Sequence, residues 1–207
     1  MTTVEPEINP NARITFLLDW ELTLKCNYEC TYCSSGLYSG HDNSTKHPPL
    51  TDCIKTIDFM FEYVNLHMQN RRKSLKHVVL NVYGGESLYH PNIEIILRTI
   101  REKYLKYKDE WSLIIGVTTN LSATSKLMDS IIDLIDEWTC SFHIESSPKQ
   151  QAQFKKNILK LKEKNKSFKI INLMHSGYFD KNIDFSNWAE QNNFKIFNRQ
   201  LDNADSN

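Results

Sequence analysis

Six runs of apolar and β-branched residues alternate along the chain with segments in which apolar residues recur every three or four positions. The runs predict β-strands and the segments predict amphipathic helices, because the two spacings match the repeats of the two structures. Strands that alternate with helices are typical of parallel sheets, in which each helix returns the chain to the start of the next strand. The predicted strands span 14–24, 78–83, 113–118, 139–144, 168–173 and 194–197, and the predicted helices lie at 53–64, 93–100, 127–135, 150–165 and 185–191. The pattern predicts an α/β fold, with an open doubly wound sheet and a partial barrel as alternatives.

The chain has 207 residues, for which a single core domain is expected at 14–201, with an N-terminal extension at 1–13 and a polar tail at 202–207. Its 25 basic and 25 acidic side chains balance, so no overall field favours binding to nucleic acid or to an anionic membrane. No apolar stretch approaches the roughly 20 residues that span a bilayer. Because the start also lacks a secretory signal, we expect a cytoplasmic protein without a membrane partner.

Three of the five cysteines, Cys26, Cys30 and Cys33, fall within eight consecutive residues. An odd number of cysteines in a chain without an export signal argues against a disulfide framework, so the three predict a metal site. One alternative is structural zinc, with His41 or His47 as the fourth ligand. Cys53 and Cys140 are predicted to be apolar core residues, since free cysteine is among the most buried residue types.

Polar residues follow the predicted strands at the ends where parallel α/β sheets bind ligands. Cys26 comes after the first strand, Gly84-Gly85-Glu86 after the second and Asn120 after the third. Ser141, His143 and Glu145 are spaced by two residues, which predicts that a fourth strand turns all three toward one face. A buried polar face needs partners, so it predicts either a lined cavity or a satisfied network within the core. The remaining histidines, among them His90 and His175, are given no role.

The spacing Cys26-x3-Cys30-x2-Cys33, with Tyr32 before the last cysteine, resembles the cluster motif of the radical S-adenosylmethionine (radical SAM) enzymes. Tyr83-Gly84-Gly85-Glu86 is similar to the GGE motif of that family, whereas a simple β-turn is the alternative for the two glycines alone. The resemblance covers nearly the whole chain and implies a partial (βα)6 barrel, similar to a TIM barrel but incomplete. It also implies a 4Fe-4S cluster held by the three thiolates, with SAM at the fourth iron.

The resemblance further implies roles for individual residues toward SAM. Gly84 and Gly85 would let the backbone approach the methionine part, the Glu86 carboxylate would accept from its amino group, and Tyr32 would lie against the adenine. Asn120 resembles the asparagine of a TNG motif, although Leu121 replaces the glycine. Ser141 and His143 occupy positions that contact the ribose in related enzymes, where a Ser-x-Asp pair is common, and Lys155 or Lys156 would face the SAM carboxylate.

By this resemblance the chain is an enzyme that reductively cleaves SAM to a 5′-deoxyadenosyl radical and abstracts hydrogen from a substrate. The substrate expected is a peptide or protein side chain, with an external electron donor such as flavodoxin or ferredoxin. A small-molecule or nucleoside-precursor modifying enzyme and a non-catalytic metal-binding module are the alternatives. No cysteine follows Cys140, so an auxiliary-cluster domain is not expected, and the chain is either a minimal core or an N-terminal fragment.

Overall fold

The computed structural model describes residues 13–33, 46–69 and 75–201. Six strands alternate with five helices in these parts of the chain. The strands are β1 (Arg13–Thr23), β2 (Leu75–Gly84), β3 (Ser112–Thr119), β4 (Glu137–Phe142), β5 (Ser167–Met174) and β6 (Ile196–Gln200). The helices are α1 (Leu50–Gln69), α2 (Ile93–Tyr104), α3 (Ser125–Ile131), α4 (Pro148–Glu163) and α5 (Phe179–Gln191). The predicted alternation of strands and helices is therefore confirmed.

All six strands are parallel and form one sheet in the order β1-β2-β3-β4-β5-β6. Each connection advances by one strand in the same direction, and right-handed crossovers of this kind place their helices on one face of the sheet. A doubly wound sheet reverses its strand order and carries helices on both faces, so that alternative is excluded. The predicted α/β fold is confirmed, and its strand order is that of an open barrel.

One face of the sheet forms the core with the helices, and the other face is more exposed and carries both polar and apolar side chains, such as Asp19 and Leu17. On β4, Trp138, Cys140 and Phe142 are buried toward the helices, whereas Glu137 on the other face is exposed. This alternation follows from the two-residue period of a strand. Cys140 and Cys53 are both buried in the core, as predicted.

Several predicted boundaries differ from the structure. β4 ends at Phe142 rather than at residue 144, because the chain turns toward the start of α4. α4 begins at Pro148, where Ser147 and Gln150 form a capping box that satisfies the free N–H groups of the first turn. β6 begins at Ile196 rather than at residue 194, after Asn193 has turned the chain with a φ of +56°.

Most of the predicted extension and the whole predicted tail lie outside the described residues. Among the helices of the described ranges, none combines the length and the apolar character that crossing a bilayer requires.

Candidate functional site

The three clustered cysteines line one cavity at the carboxyl ends of the first four strands. The cavity has a volume of about 170 Å³. Its wall is formed by Cys26, Tyr28, Cys30, Cys33, Gly84, Gly85, Thr118, Thr119, Asn120, Ser141 and His143. Eight residues predicted from the sequence to form the site are therefore brought together, and Tyr32 and Glu86 contact this wall from behind through His143 and Asn120.

Gly84 and Gly85 are required by the close approach of β2 to the end of β1. A Cβ atom on Gly84 would lie 2.1 Å from the carbonyl oxygen of Thr23, and one on Gly85 would lie 2.6 Å from the carbonyl oxygens of Leu24 and Lys25. Gly84 also has a φ of +139°, which residues with a side chain rarely adopt. The N–H of Gly85 donates to Thr23 O at 2.7 Å. The glycines thus fix the segment that leads directly into Cys26, and the contact with SAM stays a prediction.

The Glu86 carboxylate is 1 % exposed and joins the ends of β2 and β3. It accepts from Leu88 N at 2.9 Å, from Thr119 Oγ1 at 2.7 Å and from Asn120 N at 2.5 Å. Burial raises the pKa of Glu86 to about 7, although these donors oppose the shift. Three of about four acceptor positions on the carboxylate are taken inside the protein. Glu86 does not itself line the cavity, and its bond to the SAM amino group stays a prediction.

Asn120 links the end of β3 to the loop that carries the cysteines. Its side-chain Nδ2 donates to Asn27 Oδ1 at 2.9 Å, and Asn27 Nδ2 donates to Ser122 Oγ at 2.8 Å. Leu121, in the position that the resemblance gives to glycine, is fully buried and has a φ of +54°. Its backbone therefore keeps a conformation that favours glycine, at a cost of about 1–2 kcal/mol.

The cysteine sulfurs have polar neighbours, and Cys30 is buried whereas Cys26 and Cys33 are partly exposed. Tyr28 N donates to Cys26 Sγ at 3.4 Å, and Cys30 Sγ lies 3.4 Å from His143 Nδ1. Burial raises the pKa of the Cys26 thiol to about 12 and the pKa of the Cys30 thiol to about 11. Both thiols therefore hold their protons at neutral pH without a metal. Because metals bind the thiolate, loading the site must release protons.

His143 packs against the cysteine-bearing loop from the end of β4. Its ring is stacked on Tyr32, and its Nδ1 is hydrogen-bonded to the Tyr32 hydroxyl at 2.9 Å. Burial lowers the pKa of His143 to about 4, so the imidazole is neutral at pH 7. Ser141 lines the same cavity. The predicted roles of Ser141 and His143 toward ribose, and of Tyr32 toward adenine, stay predictions.

The prediction that Glu145 shares a strand face with Ser141 and His143 was wrong. Glu145 lies beyond the end of β4, in the turn before α4, so the two-residue period no longer applies. Its carboxylate reaches Thr31 instead, with Oε2 2.6 Å from the backbone N of Thr31 and Oε1 2.7 Å from its hydroxyl.

Four residues of the site and its surroundings were not predicted. Tyr28 lines the cavity, and Thr31, Asn27 and His175 lie around it, the His175 ring 5.8 Å from that of Tyr32. A signal existed only for Tyr28, Thr31 and Asn27, which lie inside the cysteine motif. Lys155 lies 4.9 Å from the centre of the Trp188 ring on α5, which places it on the helical side of the sheet.

The donor set fits an iron-sulfur cluster. Three cysteines from one loop face one cavity, and Cys26 Sγ accepts from the backbone N–H of Tyr28, a kind of hydrogen bond that tunes cluster thiolates. Within the described residues, no three His, Cys, Asp or Glu side chains are grouped as a site for a single metal ion. Of the two histidines proposed for zinc, His41 lies outside the described residues. His47 Nδ1 is hydrogen-bonded to Thr23 Oγ1 at 3.0 Å.

No protein-family model and no curated protein matches the sequence. Solved structures of anSMEcpe, an anaerobic sulfatase-maturating radical SAM enzyme, do match the fold. The tagged form with bound AdoMet, which is SAM, aligns with a TM-score of 0.64 at 13 % identity, covering 92 % of this chain and 52 % of that one. The native form with AdoMet and the Cp18Cys peptide aligns with a TM-score of 0.63 at 12 % identity, covering 92 % and 51 %.

The chain therefore has the fold of the radical SAM enzymes, and it spans about half the length of these neighbours. The partial (βα)6 barrel predicted from the cysteine and glycine motifs is confirmed.

Proposed function

We propose that this protein is a radical SAM enzyme. The observation that carries the proposal is the convergence of Cys26, Cys30 and Cys33 with Gly84 and Gly85 on one cavity. The cavity lies at the ligand-binding end of a sheet with the radical SAM fold. Three cysteines rather than four leave one iron of a 4Fe-4S cluster without a protein ligand. When bound, the cluster supplies an electron that cleaves SAM and generates the 5′-deoxyadenosyl radical, which abstracts hydrogen from the substrate.

The residues of this chain would hold and shield the cofactors. The cysteines would provide the thiolates, and the fixed Gly84-Gly85 backbone would form the floor beside them. Glu86 would offer its remaining acceptor position to the cationic amino group of SAM, which would favour its ionised form and lower its pKa. Tyr32, His143 and the buried wall around them would exclude water and stray hydrogen donors.

For the substrate we propose a peptide or protein side chain. Two of the matching structures are described as anSMEcpe with AdoMet and a peptide, named Cp18Cys in one and Kp18Cys in the other. The chain resembles these proteins in fold at 12–13 % identity, which supports the class of substrate and no particular peptide. An external reductant such as flavodoxin or ferredoxin would supply the electron.

Two measurements test the proposal. Anaerobic reconstitution should load about four irons and four sulfides per chain, and the reduced cluster should give a paramagnetic signal that changes when SAM is added. Incubation with SAM and a reductant should then release 5′-deoxyadenosine, which chromatography detects without knowledge of the substrate. Stoichiometric zinc in place of the cluster would contradict the proposal, and a cluster that leaves SAM intact would favour a non-catalytic module.

A further inference from the structure

The turn from Cys30 to Cys33 is held from outside by the segment that follows β4. Cys33 N donates to Cys30 O at 3.1 Å, which closes a four-residue turn with Thr31 and Tyr32 at its centre. Thr31 binds the Glu145 carboxylate, and Tyr32 binds His143. Both central residues are therefore tied to one short segment, although no covalent link joins them to it.

The Glu145 carboxylate makes the stronger of the two ties. Oε2 accepts from the backbone N–H of Thr31 at 2.6 Å, and Oε1 accepts from its hydroxyl at 2.7 Å. The Glu145 side chain is only 11 % exposed, and it makes two charge-assisted hydrogen bonds to Thr31, which is itself exposed at the surface. Such bonds are roughly twice as strong as neutral ones. Both oxygens are directed to the turn.

The geometry points to Glu145 as a positioning residue that fixes the Cys30–Cys33 turn through Thr31, before and after the cluster binds. This inference rests on the proposed function for the identity of the metal centre. The two hydrogen bonds between Glu145 and Thr31, which we call the clamp, do not depend on it. A turn held in advance loses less freedom when the cluster binds, and its thiolates separate less readily from the iron. We therefore expect Glu145 to govern how long the chain retains its cluster.

The first test uses the protein without its cluster. Hydrogen exchange of the peptide that covers 28–33 should be slow at Thr31 in the wild type, and about tenfold or more faster in Glu145→Ala. Glu145→Gln keeps one acceptor and should be intermediate. Glu163→Ala removes an exposed carboxylate from the far end of α4 and should exchange like the wild type. Wild-type exchange at Thr31 in Glu145→Ala would overturn the inference.

The second test measures how fast the iron chelator bathophenanthroline removes the reconstituted cluster. Glu145→Ala should lose it about tenfold or more faster than the wild type, and Glu163→Ala at the wild-type rate. Thr31→Val removes one donor and should lose the cluster faster than Thr31→Ser, which restores the hydroxyl. This pair keeps the test decisive if Glu145→Ala fails to fold.

The inference would be overturned if Thr31→Val and Thr31→Ser lost the cluster at equal rates and a folded Glu145→Ala lost it at the wild-type rate. Glu145 would then have no role in cluster retention. A wild-type chain that takes up no cluster would refute the proposed function, while the exchange experiment would still decide whether Glu145 holds the turn.

Discussion

Two carboxylates support the cysteine-bearing loop, one from inside the molecule and one from its rim. Glu86 is 1 % exposed and accepts two hydrogen bonds from the end of β3, whereas Glu145, whose side chain is 11 % exposed, accepts two from Thr31 and lies 3.9 Å from His175 Nε2. The Glu86 region also includes Asn120, which holds Asn27 next to Cys26. Cys26 is therefore positioned from the strand ends that Glu86 joins, whereas the turn from Cys30 to Cys33 is tied to the segment that follows β4.

The three cysteines of one motif are therefore positioned by different parts of the fold. Changes near Glu86 should affect the stability of the whole domain, because strand ends separate when that region is disturbed. Changes near Glu145 should affect the turn alone. The variants that follow test how far this division extends.

The largest effect is expected for the cysteines themselves, because all three should be equally necessary for the cluster. Replacement of Cys26, Cys30 or Cys33 by alanine should abolish cluster incorporation in each case, because two thiolates cannot hold the cluster with an open iron. Iron and sulfide analysis after anaerobic reconstitution measures this. Cys53→Ala and Cys140→Ala remove buried core thiols and should keep the cluster. A Cys26→Ala variant that retained four irons while Cys53→Ala lost them would refute the ligand assignment.

The second prediction concerns the inner region. Gly85→Ala should destabilise the domain by about 3 kcal/mol or more, because its Cβ would meet backbone carbonyl oxygens that cannot move without displacing the chain before Cys26. Gly116→Ala is the matched control. A Cβ there meets only the Asn81 side chain, whose bond to Asp19 is worth about 1 kcal/mol. Urea unfolding compares them, and equal losses would refute the close-approach argument.

The third prediction uses pH to isolate Glu86. Its folded-state pKa of about 7 lies above the ordinary value of 4.5. Between these pH values the folded state binds more protons than the unfolded state. The contribution of Glu86 to the free energy of unfolding therefore falls as pH rises from 4.5 to 7. The fall amounts to about 3 kcal/mol. Glu86→Gln lacks this titration, so the stability of the wild type relative to Glu86→Gln should fall by about 3 kcal/mol as pH rises from 4.5 to 7. Urea unfolding of the cluster-free proteins measures this, and a difference that does not change with pH would contradict the assignment.

Glu86→Gln should also weaken SAM binding by about 1–3 kcal/mol without changing the iron content, if the remaining acceptor position serves the amino group. Unaltered affinity for SAM would leave Glu86 as an internal link between strands and nothing more.

The smallest effect concerns Leu121. Both Leu121→Ala and Leu121→Gly lose a buried side chain, but only glycine relieves the positive φ, so the glycine variant should be more stable by about 1 kcal/mol. At Leu97, which is equally buried inside α2, the order should reverse by about 1 kcal/mol because glycine weakens helices. The same order at both positions would show that the backbone of Leu121 is not strained.

The fold and the inner part of the site were predictable from the sequence, because strand and helix periods and the cysteine spacing depend on local residue patterns. The role of Glu145 was not predictable. The strand period was extended past Phe142, where the capping box of α4 already directs the chain. The contact from Glu145 to Thr31 joins residues 114 positions apart, so nothing in the local pattern of either segment indicates it.

Leu121 has a consequence for how such proteins are recognised in sequence data. At this position the backbone has a positive φ, and a leucine adopts it while its side chain is fully buried in the core. A search pattern that demands glycine after the asparagine would reject this chain, although the backbone at Leu121 has the positive φ that favours glycine. The residue type at this position therefore conceals a backbone feature that the torsion angle reveals.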